Sequence, residues 1–228
     1  MPVKYLLKSA VRSCAILTVV ACARNESSRA VQASAGGEVV AGASSTLVPA
    51  FRLAVEQPGN EARYRVREQL VGHDLPNDAV GVTQAVTGEI IFAEDGAVIP
   101  DGSRLMIDVT GLKSDQNRRD NYVRNRLLET TKFPMVVFEP TFIRGAPKVL
   151  PTSGSTAFSL LGNLTIRGVI RPAIWFVSAK FSPIGVSGTA STAFSFADFG
   201  IPQPSVPVLL SVADTIKLEY DYSFSVKK

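Results

Sequence analysis

The sequence predicts an all-β fold in which antiparallel strands curl around one apolar face, as a sandwich or as a closed barrel. From residue 46 onward, apolar and polar residues alternate, which is typical of strands that have one dry face and one wet face. Residues 216–224 show this alternation most clearly. Clusters of turn-forming residues separate the alternating runs; they are Gln57–Asn60, Ala93–Gly96, Pro100–Gly102 and Ser182–Gly185.

Residues 1–21 have the features of a bacterial lipoprotein signal peptide. Three basic residues precede an apolar run that is too short to span a bilayer. The run ends in the letters VVAC, which resemble a lipobox, so we expect Cys22 to receive a diacylglyceryl group. Secretion with cleavage nearby and without acylation is the alternative. We therefore expect a chain that crosses the cytoplasmic membrane and stays anchored by this lipid, in the periplasm or at the cell surface.

The charge balance does not indicate a nucleic-acid partner. The chain has 24 Lys and Arg residues against 20 Asp and Glu residues, and three of the basic residues lie within residues 1–21. After cleavage, 24 − 3 = 21 basic residues would face 20 acidic ones. Most of the excess positive charge would therefore leave with the signal peptide, and the remaining balance gives no reason to expect a nucleic-acid partner.

Residues 22–46 and residues 47–228 are predicted to differ in kind. The first segment is rich in Ala, Ser and Gly and has no periodicity, which is typical of a flexible tether. The alternating runs lie in the second segment, so we expect one barrel or sandwich domain there. The only cysteines, Cys14 and Cys22, precede this domain, so its stability has to come from an apolar core and not from a disulfide.

A charged stretch interrupts the strand pattern and predicts a short helix near residues 115–130. Ser114 or Asp115 can cap its N-terminus, because their side-chain oxygens accept hydrogen bonds from first-turn N–H groups. Apolar residues then recur at helical spacing, with four arginines around them. Pro134 cannot continue a helix, so we expect residues 136–138 to be a strand.

The arginines of this helix are interpreted as structural. Pairs between surface arginines and carboxylates are common and weak. We expect Arg119 to pair with Asp120, and Arg124 to pair with Glu129, so that the helix is held against the sheet. A catalytic or anion-binding arginine cluster is the alternative.

Three segments resemble the signatures of one protein family, in the family's order and spacing. They are RRDNYVRN…LETTKFPMVVF within residues 118–138, GNLTIRGVIRP at Gly162–Pro172 and ADFG at Ala197–Gly200. Together they are similar to the motifs of the YceI-like domain family. The resemblance implies a lipocalin-like antiparallel barrel of about eight strands, with a helix near residues 115–130. It also implies non-enzymatic binding of isoprenoid lipids such as polyprenyl quinones.

The sequence departs from the family pattern around the third segment. Phe196 stands where a polar or basic residue is usual, and the Pro-rich residues Ile201–Val208 follow the segment. The resemblance therefore does not define which residues contact a lipid head group.

The residues themselves indicate a binding protein and not an enzyme. The one histidine, His73, lies in a loop-like stretch, and no G-x-S-x-G sequence is present to supply the nucleophile of a Ser–His–Asp triad. One histidine and no cysteine in the domain leave only carboxylates as further ligands, so we expect no transition metal and no other cofactor. Asp198–Gly200 has the letters of the kinase D-F-G motif but no Gly-rich ATP loop beside it, and we interpret it as a turn at the end of a strand.

The apolar residues on the dry strand faces are the candidate ligand contacts. Each buried methylene group contributes ~0.8 kcal/mol, so a long chain can bind with little polar recognition. We predict a carrier or store for an isoprenoid-like lipid, a quinone or another long-chain amphiphile. A structural barrel with a solid core and no ligand is the alternative, and the sequence is compatible with a homodimer without defining one. The candidate residues are Phe92, Ile107, Phe138, Leu164, Ile166, Trp175, Val177, Phe181, Phe194, Phe196, Leu218 and Tyr220.

Trp175, the only tryptophan, is predicted to face the interior of the barrel. Proline is tolerated at the first position of a strand, so we place the start of this strand at Pro172. Alternation then puts Trp175 on the face that it shares with Ala173 and Ala179, while Lys180 marks the opposite face as wet. Because the two alanines are small, we expect them to leave room for a ligand beside the indole.

Overall fold

The computed structural model describes residues 49–228, apart from residues 148 and 150. The predicted signal peptide, the tether and Cys22 lie outside these residues. The described part contains ten strands, a short α-helix (α1, Asn117–Tyr122), a π-helical segment (Val123–Leu127) and a 3-10 turn (Phe196–Phe199). The strands are β1 (Pro49–Val55), β2 (Glu61–Leu70), β3 (Asn77–Thr83), β4 (Val86–Ala93), β5 (Val98–Asp108), β6 (Met135–Arg144), β7 (Gly154–Ile166), β8 (Val169–Ser182), β9 (Gly185–Ser195) and β10 (Leu209–Lys227).

The strands form one antiparallel sheet that closes into a barrel. Neighbours pair in the order β1-β4-β5-β6-β7-β8-β9-β10, and β10 pairs with β1 to complete a ring of eight. β2 also pairs with β10, and β3 pairs with β2. Thus β1–β2 and β3–β4 are two bent strands that each occupy one place in the ring. The predicted all-β, lipocalin-like antiparallel barrel of about eight strands is confirmed.

The bend between β1 and β2 is fixed by one buried side chain. Asn60 is the last residue of the predicted turn and donates its amide N–H groups to the carbonyl oxygens of Glu56, at 2.6 Å, and Ser223, at 3.1 Å. Its amide oxygen accepts from the Tyr220 hydroxyl at 2.5 Å and from the Ser223 N–H at 3.2 Å. Asn60 thereby ties the corner of the first bent strand to β10, which runs beside both of its halves.

The outer face of β2 carries a ladder of charged pairs. Arg63 and Arg65 both donate to Glu219 of β10, each at 3.2 Å, and Arg65 also pairs with Asp78 of β3. A hydrogen bond from Lys217, followed by those from Arg65 and Arg63, lowers the pKa of Glu219 to about 2. The ladder shows that this face is wet, so the alternate residues of β2 point into the barrel.

One predicted turn is a bulge inside a strand. Pro100–Gly102 was predicted to separate two strands, but these residues lie within β5, so that prediction is wrong. Gly102 has φ +84, and the pairing between β4 and β5 shifts register after Glu89. The buried Ser103 hydroxyl accepts from the Ile91 N–H at 2.8 Å and donates to the Ile99 oxygen at 2.6 Å. These bonds replace the ladder bonds that the bulge interrupts.

The strand that contains Trp175 begins earlier than predicted. β8 begins at Val169, and Pro172 is its fourth residue, opposite Asn163 of β7. Proline is tolerated there because β8 pairs with β9 only from Phe176 onward. Pro172 therefore has a strand neighbour on one side only. On its open side, no ladder bond needs the N–H that proline lacks.

The helix forms where it was predicted, but it is built differently. Gln116 is the N-cap residue of α1 and makes no side-chain cap bond, so the predicted caps at Ser114 and Asp115 are wrong. Ser114 instead uses its N–H and its hydroxyl to donate to the buried Asp120 carboxylate, at 2.8 and 2.6 Å. The loop before the helix is thus closed onto the helix by Asp120.

Both predicted ion pairs of the helix are also wrong. Arg119 pairs with Glu68 of β2, at 2.6 Å, and with Asp115. Asp120 is one residue along the helix and points elsewhere, since only residues three or four apart share a helix face. Arg124 donates to the Asn121 side chain at 3.0 Å and the Leu112 carbonyl at 3.4 Å. Its predicted partner Glu129 has a positive φ of 51, lies beyond the helical turns and pairs with Arg167 instead.

One side of β3 has almost no backbone partner. Among the described residues, β3 pairs with β2 along its length, and on its other side only Val82 forms a bridge, with Lys113. The loop before α1, which contains Lys113, lies at this point. We call the gap between β3 and this loop the seam.

Candidate functional site

The barrel encloses a cavity of about 810 Å³. Side chains from every strand, from the helical segment and from the loop before β10 line it. The strand contribution follows from the alternation in the sequence, because every second residue points inward. The apolar wall includes Leu53, Val66, Ile90, Leu105, Leu160, Val186 and Ile216, besides the residues predicted from the sequence.

All twelve predicted ligand contacts lie on the wall of this cavity. They come from β4 to β10, with Phe196 from the 3-10 turn. Four further lining residues have the same strand phase but were not predicted as contacts; they are Leu53, Val66, Leu105 and Ile216. The predicted residues are thus brought together, while their contact with a ligand stays a prediction.

Trp175 lies on the cavity wall beside Phe138. Their ring centroids are 5.8 Å apart and the rings are tilted by 59°. The indole N–H is buried and has no hydrogen-bond partner among the described residues. Ala173 and Ala179 are not part of the lining, so the space predicted beside these two alanines is not part of the cavity.

The interior of the cavity contains hydroxyl groups that are already satisfied. Besides the bond from Tyr220 to Asn60, the Tyr222 hydroxyl donates to the Ser178 carbonyl at 3.1 Å. Burial raises the pKa of both tyrosines well above its ordinary value, so both are neutral. The interior therefore favours an uncharged, apolar chain.

Tyr64 lies in the cavity wall, near the charged side chains of the helix. Burial raises the pKa of Tyr64 to about 12; the Arg119 charge opposes this shift, and the nearby carboxylates add to it. The ring lies against the backbone of Gly81 on β3, where an added Cβ would stand 2.3 Å from a ring carbon. Glycine at position 81 is therefore required for this tyrosine to lie in the wall.

The cavity opens at one end of the barrel. Lining residues that are also exposed mark the opening; among the described residues they are Gln116, Arg118, Asn121, Asn125, Arg126, Pro207 and Val208. The first five belong to the helical segment and its cap, and the last two belong to the loop before β10. We call this opening the mouth. The mouth lies between two segments that strand alternation could not place.

The three sequence motifs meet beside the mouth. Arg167, in the turn between β7 and β8, donates to the Gly200 carbonyl at 2.8 Å and pairs with Glu129. In the third motif, Asp198 accepts from the Ser195 N–H at 2.7 Å while the Ser195 hydroxyl accepts from the Asp198 N–H at 3.3 Å. Each motif thus supplies part of one structural joint, which agrees with the turn predicted at Asp198–Gly200.

The only histidine of the chain does not belong to the cavity wall. His73 is exposed in the loop between β2 and β3. Across residues 49–228, apart from the two that are not described, no three metal-ligating side chains come together. Within the same residues, no helix is long and apolar enough to span a bilayer.

Comparison with known families agrees with the motifs. The family profile of the YceI-like domain matches residues 60–224. The chain belongs to the YceI-like domain family. The match spans β2 to β10 and includes the three motifs and most of the cavity wall.

Individual relatives are distant. A UPF0312 protein of Azotobacter vinelandii is 27% identical over 139 residues, which are 56% of this chain and 67% of the relative. A polyisoprenoid binding domain from Saccharophagus degradans, implicated in plant cell wall breakdown, has a TM-score of 0.54 at 10% identity. The similarity covers 79% of this chain and all of that domain. BcnA of Burkholderia cenocepacia has a TM-score of 0.53 at 14% identity, over 74% of this chain and 96% of BcnA. At these identities the structural similarity concerns the fold.

Proposed function

We propose that this YceI-like barrel binds a long-chain amphiphilic lipid of the isoprenoid type, without catalysing a reaction on it. The observation that carries the proposal is the apolar cavity of about 810 Å³, since a barrel with a solid core would contain no such space. About ten buried methylene groups contribute ~8 kcal/mol, before the cost of ordering the chain is subtracted. The related fold of the polyisoprenoid binding domain from Saccharophagus degradans supports the same class of ligand.

The proposal includes an orientation for the ligand. The apolar tail lies among the aromatic and aliphatic side chains of the cavity wall, and it binds there without contacting an ionised group. The head group lies at the mouth, beside the polar side chains of Gln116, Asn121 and Asn125. A polyprenyl quinone is one lipid of this kind. We also propose that the protein works outside the cytoplasmic membrane, anchored through Cys22.

The test is to measure lipid in purified protein by solvent extraction and mass spectrometry. Ala190→Phe adds a ring to the cavity wall, and we expect it to lower the amount of extracted lipid per protein. Ala193→Phe is the matched control, because Ala193 is exposed on the same strand. Circular dichroism shows whether both variants keep the fold. If the unaltered protein yields no stoichiometric lipid, or both variants yield the same amount, then the cavity is not the binding site.

A further inference from the structure

One side of the mouth carries exposed apolar side chains. The Val71 N–H donates to the Val208 carbonyl at 3.0 Å, which brings the loop between β2 and β3 against the loop before β10. Val71, Val208 and Leu210 are each more than half exposed, and Leu75 at the tip of its loop is 77% exposed. Exposed apolar groups that cluster at one place are typical of an interaction surface.

Two arginines lie at the same opening. Arg118 and Arg126 line the mouth and are exposed, and neither forms an ion pair with a described residue. The neighbouring carboxylates of Glu68 and Asp115 are engaged by Arg119. A guanidinium group binds phosphate through two parallel hydrogen bonds. The mouth therefore combines groups that suit acyl chains with groups that suit phosphates.

We propose that the mouth docks on the surface of a phospholipid membrane. In this arrangement Val71, Leu75 and Val208 enter the boundary between head groups and acyl chains, and Arg118 and Arg126 contact lipid phosphates. This inference rests on the proposed function for its purpose, because a docked mouth gives a lipid an apolar path between bilayer and cavity. A membrane fits better than a protein partner because the exposed apolar side chains continue directly into the apolar cavity wall.

The opposite end of the barrel supplies the control surface. Ile184 lies in the turn between β8 and β9 and is 81% exposed, so it matches Leu75 in exposure and chemistry. The mouth lies at the end where β8 begins, whereas Ile184 follows the last residue of β8. β8 has 14 residues, which separate the two ends by roughly 45 Å along the strand. Arg144 at the end of β6 is likewise exposed and is the control for the two arginines.

The experiment places a polarity-sensitive fluorophore on each end of the full chain. Leu75→Cys and Ile184→Cys are labelled with a nitrobenzoxadiazole group, after Cys14 and Cys22 are replaced by serine so that one thiol is labelled and no acyl anchor contributes. Vesicles of phosphatidylethanolamine and phosphatidylglycerol are then added. We expect a blue shift and increased emission for the label at position 75 and no change for the label at position 184. Arg118→Gln with Arg126→Gln should raise the lipid concentration needed for a half-maximal shift, while Arg144→Gln should leave it unchanged.

Three results would overturn the docking proposal. The first is that neither label responds, and the second is that both labels respond equally. The third is that the label at position 75 is already in an apolar environment without vesicles, in a way that depends on protein concentration, since a second copy of the chain would then cover the mouth. Lipid extraction from the same samples measures independently whether the cavity contains a lipid. An empty cavity with a responsive label would therefore contradict the proposed function and leave the docking intact.

Discussion

The ion pair between Arg119 and Glu68 offers the sharpest test of how the helical segment is held over the barrel. The two side chains are only 15% and 11% exposed, and their charged atoms are 2.6 Å apart. Burial works against the charged guanidinium, but Glu68 and Asp115 outweigh it and raise the pKa of Arg119. Arg119→Met keeps the apolar stem and removes the charge, so Glu68 is left buried without its partner.

The expected loss is about 2–3 kcal/mol of unfolding free energy, somewhat below the range for fully buried pairs because both groups keep some solvent contact. For a domain of this size, that corresponds to a fall of roughly 5–10 °C in melting temperature. Thermal unfolding followed by circular dichroism measures it. We expect the double variant Arg119→Met with Glu68→Met to recover much of the loss, because it leaves no unpaired buried charge.

Arg67→Met is the matched control on β2, since Arg67 pairs with Asp78 at 3.1 Å on the exposed face. Exposed pairs contribute ~0–1 kcal/mol, so its melting temperature should stay close to that of the unaltered protein. Equal melting temperatures for Arg119→Met and Arg67→Met would refute the reasoning. Loss of bound lipid at an unchanged melting temperature would instead make Arg119 a head-group contact.

Three further outcomes follow from the structure and the sequence. The folded-state pKa of Glu219 is lowered to about 2, so its stabilising effect is present above its ordinary pKa and is lost as the pH falls toward 2. Glu219→Gln should therefore reduce the loss of unfolding free energy in acid, and denaturant unfolding at each pH measures this. Trp175 should be quenched by a long-chain quinone and should shift its emission when native lipid is extracted; emission typical of a water-exposed indole that ignores lipid would contradict its place in the wall. Metabolic labelling with a clickable fatty acid should mark the unaltered chain and not Cys22→Ala, and equal labelling of both would exclude the anchor.

The alternation of residues predicted much of the wall but not its connections. It placed Trp175 and Phe138 on inward faces, because the phase of a strand is a local property. It could not show that Pro100–Gly102 is a bulge, since a proline, an aspartate and a glycine suit a turn and a bulge equally well. The difference depends on the hydrogen bonds that Ser103 makes with Ile91 and Ile99.

The partners of the charged residues could not be predicted from the sequence. Arg119 and Glu68 are 51 positions apart, and they meet only because the helical segment lies over the end of β2. A prediction from residues close in sequence selects Asp120 as the partner of Arg119, but the Asp120 carboxylate accepts a hydrogen bond from Ser114 instead. The volume of the cavity was also beyond the sequence, because the same apolar residues line an open barrel or fill a solid one according to the distance across the ring.

The seam beside β3 has a consequence for how a ligand is exchanged. Where two strands share a ladder, widening the wall requires several backbone hydrogen bonds to break together. Among the described residues, the only bridge on the far side of β3 is between Val82 and Lys113, so side-chain packing and the Arg119–Glu68 pair hold that part of the wall. We expect most of the barrel wall to be rigid and the seam to be its one flexible part, the elastic sector. There the helical segment can move away from β3 and return while the hydrogen bonds of the sheet stay intact. The elastic sector would set the rate of exchange, and the ring would set the affinity.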